Sequence, residues 1–146
     1  MNPEDRYEIT WLVRRLFRAM GTRAEENLKD AGITAADRAV IEFLYPDLAL
    51  SVPEIAARYN VSRQHVQVTV NRLQDQGLVA TRPNPAHKRS PHIVLTPPAR
   101  ALFTKIRGRD QDFIDRLFTG IPPAHQRTTR NTLKKLLDQL NEGDKK

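Results

Sequence analysis

The sequence predicts a mainly α-helical fold of the α+β class, with a helix-turn-helix and a two-stranded β-hairpin at its centre. Apolar residues recur at helical spacing at both ends of the chain, two short helices flank a tight turn within residues 51–76, and a proline-rich basic hairpin follows at once. A period of 3.6 residues indicates a helix, and β-branched runs bounded by Gly and Pro indicate strands. We divide the one compact chain into an N-terminal helix (1–32), a central lobe (33–99) and C-terminal helices (100–146).

The first predicted element is a long helix over residues 5–29. One of its faces is apolar, at the spacing i, i+3, i+4, i+7, i+8 and i+11. This stripe consists of Ile9, Leu12, Val13, Leu16, Phe17 and Met20. Tyr7 and Trp11 fall on the opposite side, so we expect the helix to be covered on both faces, once by its own core and once by a second copy. The alternative is a half-exposed Trp11, since single surface aromatics are common.

A second helix is predicted over residues 34–45, with Thr34 as its N-cap and Asp37 at the third helical position. Pro46 ends this helix, because proline disfavours the helical conformation in the residue before it.

The helix-turn-helix begins at Ser51, which forms a capping box with Glu54. Ser62 is the predicted N-cap of the second helix, and Gly77 is its left-handed terminating residue. Val66, Val70 and Leu73 make the buried face of this second helix. Its outward face carries Arg63, Gln64, His65, Gln67, Val68 and Asn71. Arg, Gln and Asn supply the donors and acceptors that read base edges in a major groove.

The hairpin has predicted strands at residues 78–82 and 93–96, and prolines stiffen its tip. The tip region carries Arg82, His87, Lys88 and Arg89. A helix-turn-helix followed by a basic hairpin is a winged helix-turn-helix, whose second helix enters the major groove. Taken separately, a pair of helices with apolar stripes is more often part of a hydrophobic core than a DNA-binding unit. A basic loop is likewise more often a solvated surface than a nucleic-acid contact. The order of all the pieces favours DNA binding.

The chain resembles the MarR (multiple-antibiotic-resistance regulator) family over nearly its whole length. The matching residues are Val66, Val70, Arg72, Leu73, Gly77, Leu78, Val79 and the segment 93–96. The resemblance implies a homodimeric transcription factor, usually a repressor, and implies for many relatives an aromatic or phenolic ligand bound between the dimerisation helices and the DNA-binding lobe. Family wings often carry Asp-Arg-Arg where this chain has His87, Lys88 and Arg89, and Ala99 replaces a common Gly. The aspartate that helps to hold the wing arginine is therefore missing.

A further helix is predicted from the N-cap Thr96 to Gly120, with Gly108 as a weak or bent point, and Pro122 and Pro123 stop it. The last helix, 124–141, has a leucine stripe. These leucines are Leu133, Leu136, Leu137 and Leu140. A thin winged-helix core cannot cover both terminal stripes, so we expect the terminal helices to pack together and against those of a second copy in a symmetric dimer.

The net charge of +7 is concentrated where the DNA-reading elements lie. Residues 58–100 hold seven Lys and Arg against one acid, whereas residues 1–57 have a net charge of −3 and residues 101–146 of +4, partly from a Lys145-Lys146 tail of a kind that is usually disordered. A polyanion would be attracted to the middle of the chain. The absence of cysteine excludes disulfides and thiol chemistry. Early acids and the absence of a long apolar run predict neither a signal peptide nor a membrane span, which suits a cytoplasmic protein.

No enzyme is predicted, because no catalytic or nucleotide-binding motif occurs and the four histidines make no paired arrangement. No cofactor is expected, and His87 and His92 alone are too few for a metal site. The predicted DNA-binding set adds Ser62, at a phosphate, to the outward residues 63, 64, 65, 67, 68 and 71 and to the wing residues 82, 88 and 89. Val68 is expected at a thymine methyl group.

Tyr7, Trp11, Phe43 and Tyr45 are the candidates to line a cleft for a small aromatic effector, and the alternative for each of them is ordinary packing. The predicted partner is a pseudo-palindromic double-stranded operator, with half-sites about one helical turn (~34 Å) apart. The alternatives are a winged-helix module for protein interaction and a non-specific nucleic-acid-binding module. The predicted reading helix lacks the exposed aromatic residues that RNA binding favours.

Overall fold

The structure is a computed structural model and describes residues 2–143. The helices are α1 (Pro3–Leu28), α2 (Ala35–Leu44), α3 (Val52–Tyr59), α4 (Arg63–Asp75), α5 (Pro97–Leu117) and α6 (Pro123–Gly143), and the strands are β1 (Leu50–Ser51), β2 (Val79–Arg82) and β3 (His92–Leu95). A 3-10 turn, Lys29–Ala31, follows α1. The chain forms two compact units, residues 1–110 and 111–146. The mainly helical winged helix-turn-helix prediction is confirmed, and the Lys145-Lys146 tail lies outside the described residues.

The core of the first unit lies where α2, α3 and α4 meet the sheet. Its most deeply buried side chains include Val40, Ile41, Leu44, Ile55, Val66, Val70, Leu73 and Ile93. The predicted inner face of the second helix, Val66, Val70 and Leu73, is therefore confirmed. Because these residues fix which face of α4 is inside, they also fix which residues face outward.

The predicted caps are present. Ser51 and Glu54 form a reciprocal capping box, as do Thr34 and Asp37, and the Ser62 hydroxyl oxygen accepts from the His65 N–H at 3.0 Å. Gly77 has φ 72° after α4, the left-handed conformation that glycine adopts without a Cβ clash.

The sheet has a third strand that the sequence reading missed. The strand order is β1-β3-β2, and β1 pairs antiparallel with β3 through Leu50 opposite Ile93 and Ser51 opposite His92. Two residues are too few to show the alternation that reveals a strand. This short strand attaches the start of α3 to the base of the hairpin.

Thr96 precedes Pro97 at the start of α5, where its carbonyl accepts from the Arg100 N–H at 3.1 Å, as expected of the residue before the first helical position. Its hydroxyl donates to the Gly77 carbonyl at 2.7 Å and so joins the end of α4 to the end of β3. Gly108 lies within a helix that runs without interruption from Pro97 to Leu117.

Polar contacts join α1, α2 and α5 around Asp110, which is 8% exposed. The Asn27 amide donates to Asp110 at 3.4 Å, and the Arg38 guanidinium forms a short ion pair with the same carboxylate. Buried carboxylates need such partners, since an unpaired one would be costly.

The apolar stripes of the terminal helices are exposed in the single chain. On α1, Leu12, Leu16 and Phe17 face solvent, with Phe17 80% exposed, and on α6 the side chains of Leu137 and Leu140 are exposed. Among the described residues, no helix is both long and apolar enough to cross a bilayer. Large exposed apolar stripes of this kind are typical of surfaces that bind another protein.

Candidate nucleic-acid interface

The outward face of α4 is polar and fully accessible. Thr69 points inward with the apolar core residues, and its hydroxyl donates to the His65 carbonyl at 3.2 Å. All six residues predicted on the outward face are exposed. The N-terminal end of α4 carries no acid in its first turn, so its free N–H groups and helix dipole favour an anion such as a phosphate.

Two of the outward side chains are joined to each other. Gln67 Nε2 donates to Asn71 Oδ1 at 2.9 Å, one helical turn away. Val68 lies beside them and is 56% exposed, an unusual position for a branched apolar side chain on a polar face. The centre of the outward face of α4 therefore offers a hydrogen-bonded amide pair next to one exposed apolar side chain.

A groove runs between α4 and the wing, and it brings together residues that are far apart in the chain. Arg63, Gln64 and Gln67 line it from the helix, and Arg89 lines it from the wing. A neighbouring cleft is lined by Arg63 and by His87 of the wing tip. Arg82 and Lys88 are exposed on the hairpin but are not among the residues that line these two grooves. The cations at the groove give it the charge needed to hold a phosphate backbone.

Asn84 holds the wing tip together. The residue is 8% exposed. Its Nδ2 donates to the Ser90 carbonyl at 2.9 Å, and its Oδ1 accepts from the Ala86 N–H at 3.1 Å. The His87 N–H also donates to the Asn84 carbonyl at 3.2 Å. The loop that presents Lys88 and Arg89 is thus closed on a buried amide. The Pro-Asn-Pro segment was the sequence signal for such a turn.

Arg72 fixes α4 against α2. Its Nε and a terminal nitrogen both donate to Asp37 Oδ1, at 2.9 and 2.6 Å, and Asp37 is 1% exposed. The second oxygen of Asp37 accepts from the Thr34 N–H at 3.0 Å. The ion pair and the capping box share one carboxylate, so the angle between the reading helix and α2 is set by directional bonds as well as by packing.

One acid is charged beside this interface. The hydroxyl and the backbone N–H of Ser51 donate to Glu54, and these bonds hold the pKa of Glu54 below its ordinary value, with smaller contributions from His92 and Arg58. Glu54 lines the cleft that contains His87. The negative charge of Glu54 repels phosphate from that cleft. The groove lined by Arg89 is therefore the more favourable site for a phosphate group.

Comparison with known proteins decides the family. Residues 31–90 match the model of the MarR family, a range that contains the helix-turn-helix and the wing tip. Over 136 residues the chain is 33% identical to an uncharacterized protein of Mycobacterium tuberculosis, and the match covers 93% of this chain and 90% of that protein. The chain belongs to the MarR family. A relative from Bacillus subtilis, the uncharacterized HTH-type transcriptional regulator YkoM, is 26% identical over 83% of this chain and 79% of that protein.

Solved structures agree with this assignment. A MarR-family regulator from Silicibacter pomeroyi has a similar fold, with a TM-score of 0.80 at 22% identity over 90% of this chain and 88% of that one. The Bordetella bronchiseptica protein BpsR, whose DNA binding is regulated by 6-hydroxynicotinic acid, has a TM-score of 0.74 at 25% identity over 89% of this chain and 93% of that one.

The wing of this chain departs in sequence from the pattern that the resemblance led us to expect. The aspartate that resemblance led us to expect at the tip is replaced by His87, and the structure places the buried Asn84 at the base of the same loop. Arg72, one of the residues that carried the resemblance, is engaged with Asp37 and belongs to the support of the reading helix.

The aromatic residues proposed to line an effector cleft occupy different surroundings in this MarR-family chain. Tyr7 and Trp11 are exposed on α1. Phe43 packs edge-on against Tyr59, with ring centroids 5.8 Å apart. The ring of Tyr45 packs against that of Phe103 at 4.9 Å, the Arg107 guanidinium lies over it, and the Tyr45 hydroxyl is 3.1 Å from that of Thr104. Among residues 2–143, no cluster of three or more side chains is arranged to hold a metal ion.

Proposed function

We propose that this protein is a homodimeric transcriptional repressor that binds a pseudo-palindromic operator in double-stranded DNA. The observation that carries the proposal is the groove between α4 and the wing, where the base-reading face and the wing arginine converge. A helix needs a groove about 12 Å wide to reach base edges, and the major groove of B-DNA has this width.

In this proposal each exposed residue of α4 contacts the part of the DNA that matches its chemistry. Arg63, Gln64, Gln67 and Asn71 face base edges, Val68 faces a thymine methyl group, and His65 contacts a base or a phosphate. The N-terminus of α4 with Ser62 holds a phosphate. Arg82, Lys88 and Arg89 contact the backbone or an adjacent minor groove from the wing.

Dimerisation is proposed through residues 1–32 and 100–146. The exposed stripes of α1 and α6 supply apolar surface that a second copy would cover. A two-fold dimer carries two copies of α4, and each copy would enter the major groove at one half-site. The two half-sites are therefore expected to lie about one helical turn (~34 Å) apart.

Release by a small aromatic effector is the third part of the proposal. The regulation of BpsR by 6-hydroxynicotinic acid supports it as an analogy. Here Tyr7, Trp11, Phe43 and Tyr45 would contribute to the site, with the dimer partner completing it.

Selection from a random pool of duplexes tests the DNA-binding part. We expect enrichment of a two-fold symmetric sequence with half-sites one turn apart. Equal retention of all sequences would instead favour a non-specific nucleic-acid module, and no retention even at low salt would favour a protein-interaction module.

Sedimentation equilibrium tests the dimer. Leu16→Glu places a charge in the exposed stripe of α1, so we expect the variant to be monomeric and to bind the selected operator weakly. Leu48→Glu is the matched control, because Leu48 is exposed outside both stripes. A Leu16→Glu variant that remains a dimer would remove α1 from the interface.

A further inference from the structure

We propose that Gln67 reads an adenine in each half-site and that Asn71 is the positioning residue that holds Gln67 ready to do so. This inference rests on the proposed function and deepens it, because it assigns a base pair to one position of the operator. It also gives Asn71, placed above among the residues that face base edges, the narrower role of positioning Gln67. Its basis is the hydrogen bond of 2.9 Å from Gln67 Nε2 to Asn71 Oδ1 on the exposed face of α4.

The bond determines which groups Gln67 presents. A primary amide has two N–H donors and one oxygen acceptor, and Asn71 engages one of the donors. The nitrogen end of the Gln67 amide is thereby turned toward Asn71. One N–H and the Oε1 acceptor remain free.

These free groups complement one base in the major groove. Adenine offers the N6 amino donor and the N7 acceptor, which match the Oε1 and the N–H of glutamine. Guanine offers two acceptors, N7 and O6, so one of them would meet the Gln67 oxygen with no hydrogen between them. The pair therefore favours A·T over G·C at the base pair that it faces.

Asn71 acts on this contact through Gln67. Residues four apart on a helix face each other, and a glutamine–asparagine pair at this spacing stabilises one arrangement of both side chains. A side chain already held in its bound arrangement loses less entropy on binding. The exposed Val68 beside the pair offers a surface to the methyl group of thymine, which favours A·T pairs in the same neighbourhood.

The test begins with the operator selected by the wild-type protein. Each A·T pair of a half-site is changed in turn to G·C, and the adenines are separately replaced with 7-deazaadenine, which lacks N7. We expect one adenine per half-site where the change to G·C weakens wild-type binding by about 5- to 100-fold, where 7-deazaadenine also weakens it, and where Gln67→Ala removes the preference. Other positions should keep their preferences.

Two variants separate positioning from direct reading. Asn71→Asp retains the acceptor for Gln67 but removes the N–H donors of residue 71, whereas Asn71→Ala removes both. We expect Asn71→Asp to keep the adenine preference and Asn71→Ala to lose much of it. The added charge of Asn71→Asp weakens binding to every sequence, so the ratio of affinities for A·T and G·C operators is the quantity to compare.

The outcomes distinguish this inference from the proposed function. If the wild-type protein selects no sequence, the proposed function fails. If it selects a sequence but Gln67→Ala leaves every base preference unchanged, only the reading role is overturned. If Asn71→Asp loses the adenine preference as fully as Asn71→Ala does, residue 71 reads the base itself and the positioning role is overturned. All of these residues are exposed, so the variants are expected to fold.

Discussion

Arg89 gives the sharpest test of the groove between α4 and the wing, through the salt dependence of DNA binding. Arg89 lines this groove from the wing, opposite Arg63 and Gln67. A cation that neutralises a phosphate releases condensed counterions, so each such contact steepens the dependence of affinity on salt. Arg89→Ala should therefore weaken binding to all sequences and make the dependence on salt shallower.

The magnitude follows from the cations at the interface. Three cations per chain are assigned to the wing contacts, namely Arg82, Lys88 and Arg89, which is six in a dimer. At a slope of about −0.9 per neutralised phosphate, log affinity should change with log salt with a slope of about −5.4, so raising salt from about 50 to 200 mM weakens binding roughly 2,000-fold. Arg89→Ala removes two contacts per dimer. Its slope should be about −3.6, and the same change of salt should weaken binding roughly 150-fold.

Fluorescence anisotropy with a labelled operator, titrated at four or more salt concentrations, measures both slopes. Lys105→Ala is the control, because Lys105 is an exposed cation on α5, which supplies none of the DNA-contacting residues. The control should leave the slope at its wild-type value. An Arg89→Ala variant with wild-type affinity and slope would show that Arg89 does not contact DNA and would remove the groove as the observation that supports the wing contacts.

Three further predictions concern the supports of the interface. Asp37→Asn removes the charge paired with Arg72 and should destabilise the fold by about 1–3 kcal/mol in urea unfolding, since Arg72 is partly exposed and water replaces part of the loss. Asn84→Ala removes the buried amide of the wing and should weaken binding to all DNA sequences by about tenfold, with faster amide exchange at the tip. For Glu54→Ala, the loss of stability should be complete above pH 4.5 and should shrink as the pH falls through the pKa of Glu54, which hydrogen bonds from Ser51 hold below 4.5.

Each of these predictions has an outcome that contradicts it. Asp75→Asn is the control for Asp37→Asn, because Asp75 is an exposed acid of α4, and it should change the free energy of unfolding by no more than about 0.5 kcal/mol. If Asp37→Asn changes the free energy of unfolding by as little as this control does, the ion pair with Arg72 contributes little to stability. If Asn84→Ala binds DNA with wild-type affinity, the order of the wing tip does not determine the affinity for DNA. A Glu54→Ala difference that does not shrink at all as the pH falls would arise from packing and not from the charge of the carboxylate.

Local signals in the sequence accounted for most of the helical part of the fold. The caps at Thr34, Ser51 and Ser62 each lie within three residues of their partners, and the buried stripe of α4 follows from its own spacing. Such features depend on neighbouring residues alone, so a single sequence contains all the information that they need.

Features that depend on distant residues were not predictable in the same way. The pair of Arg72 with Asp37 joins residues 35 apart in sequence, and the strand at Leu50 exists only because β3 lies beside it. The groove likewise forms only when the wing folds back toward α4. The exposed face of α4 was predicted as a set, but the bond between Gln67 and Asn71 required the side-chain geometry.

Two adjacent residues of α2 hold different helices, and this has a mechanical consequence. Asp37 binds Arg72 of the reading helix, and its neighbour Arg38 binds Asp110 of α5. Any displacement of α5 that preserves its ion pair must carry α2 along, and with it α4. If α4 meets the bases as proposed, a ligand that moved α5 would displace this helix without unfolding it or rotating it locally. In the proposed dimer, such a displacement would change the separation of the two α4 helices, which would then no longer match the pitch of the double helix.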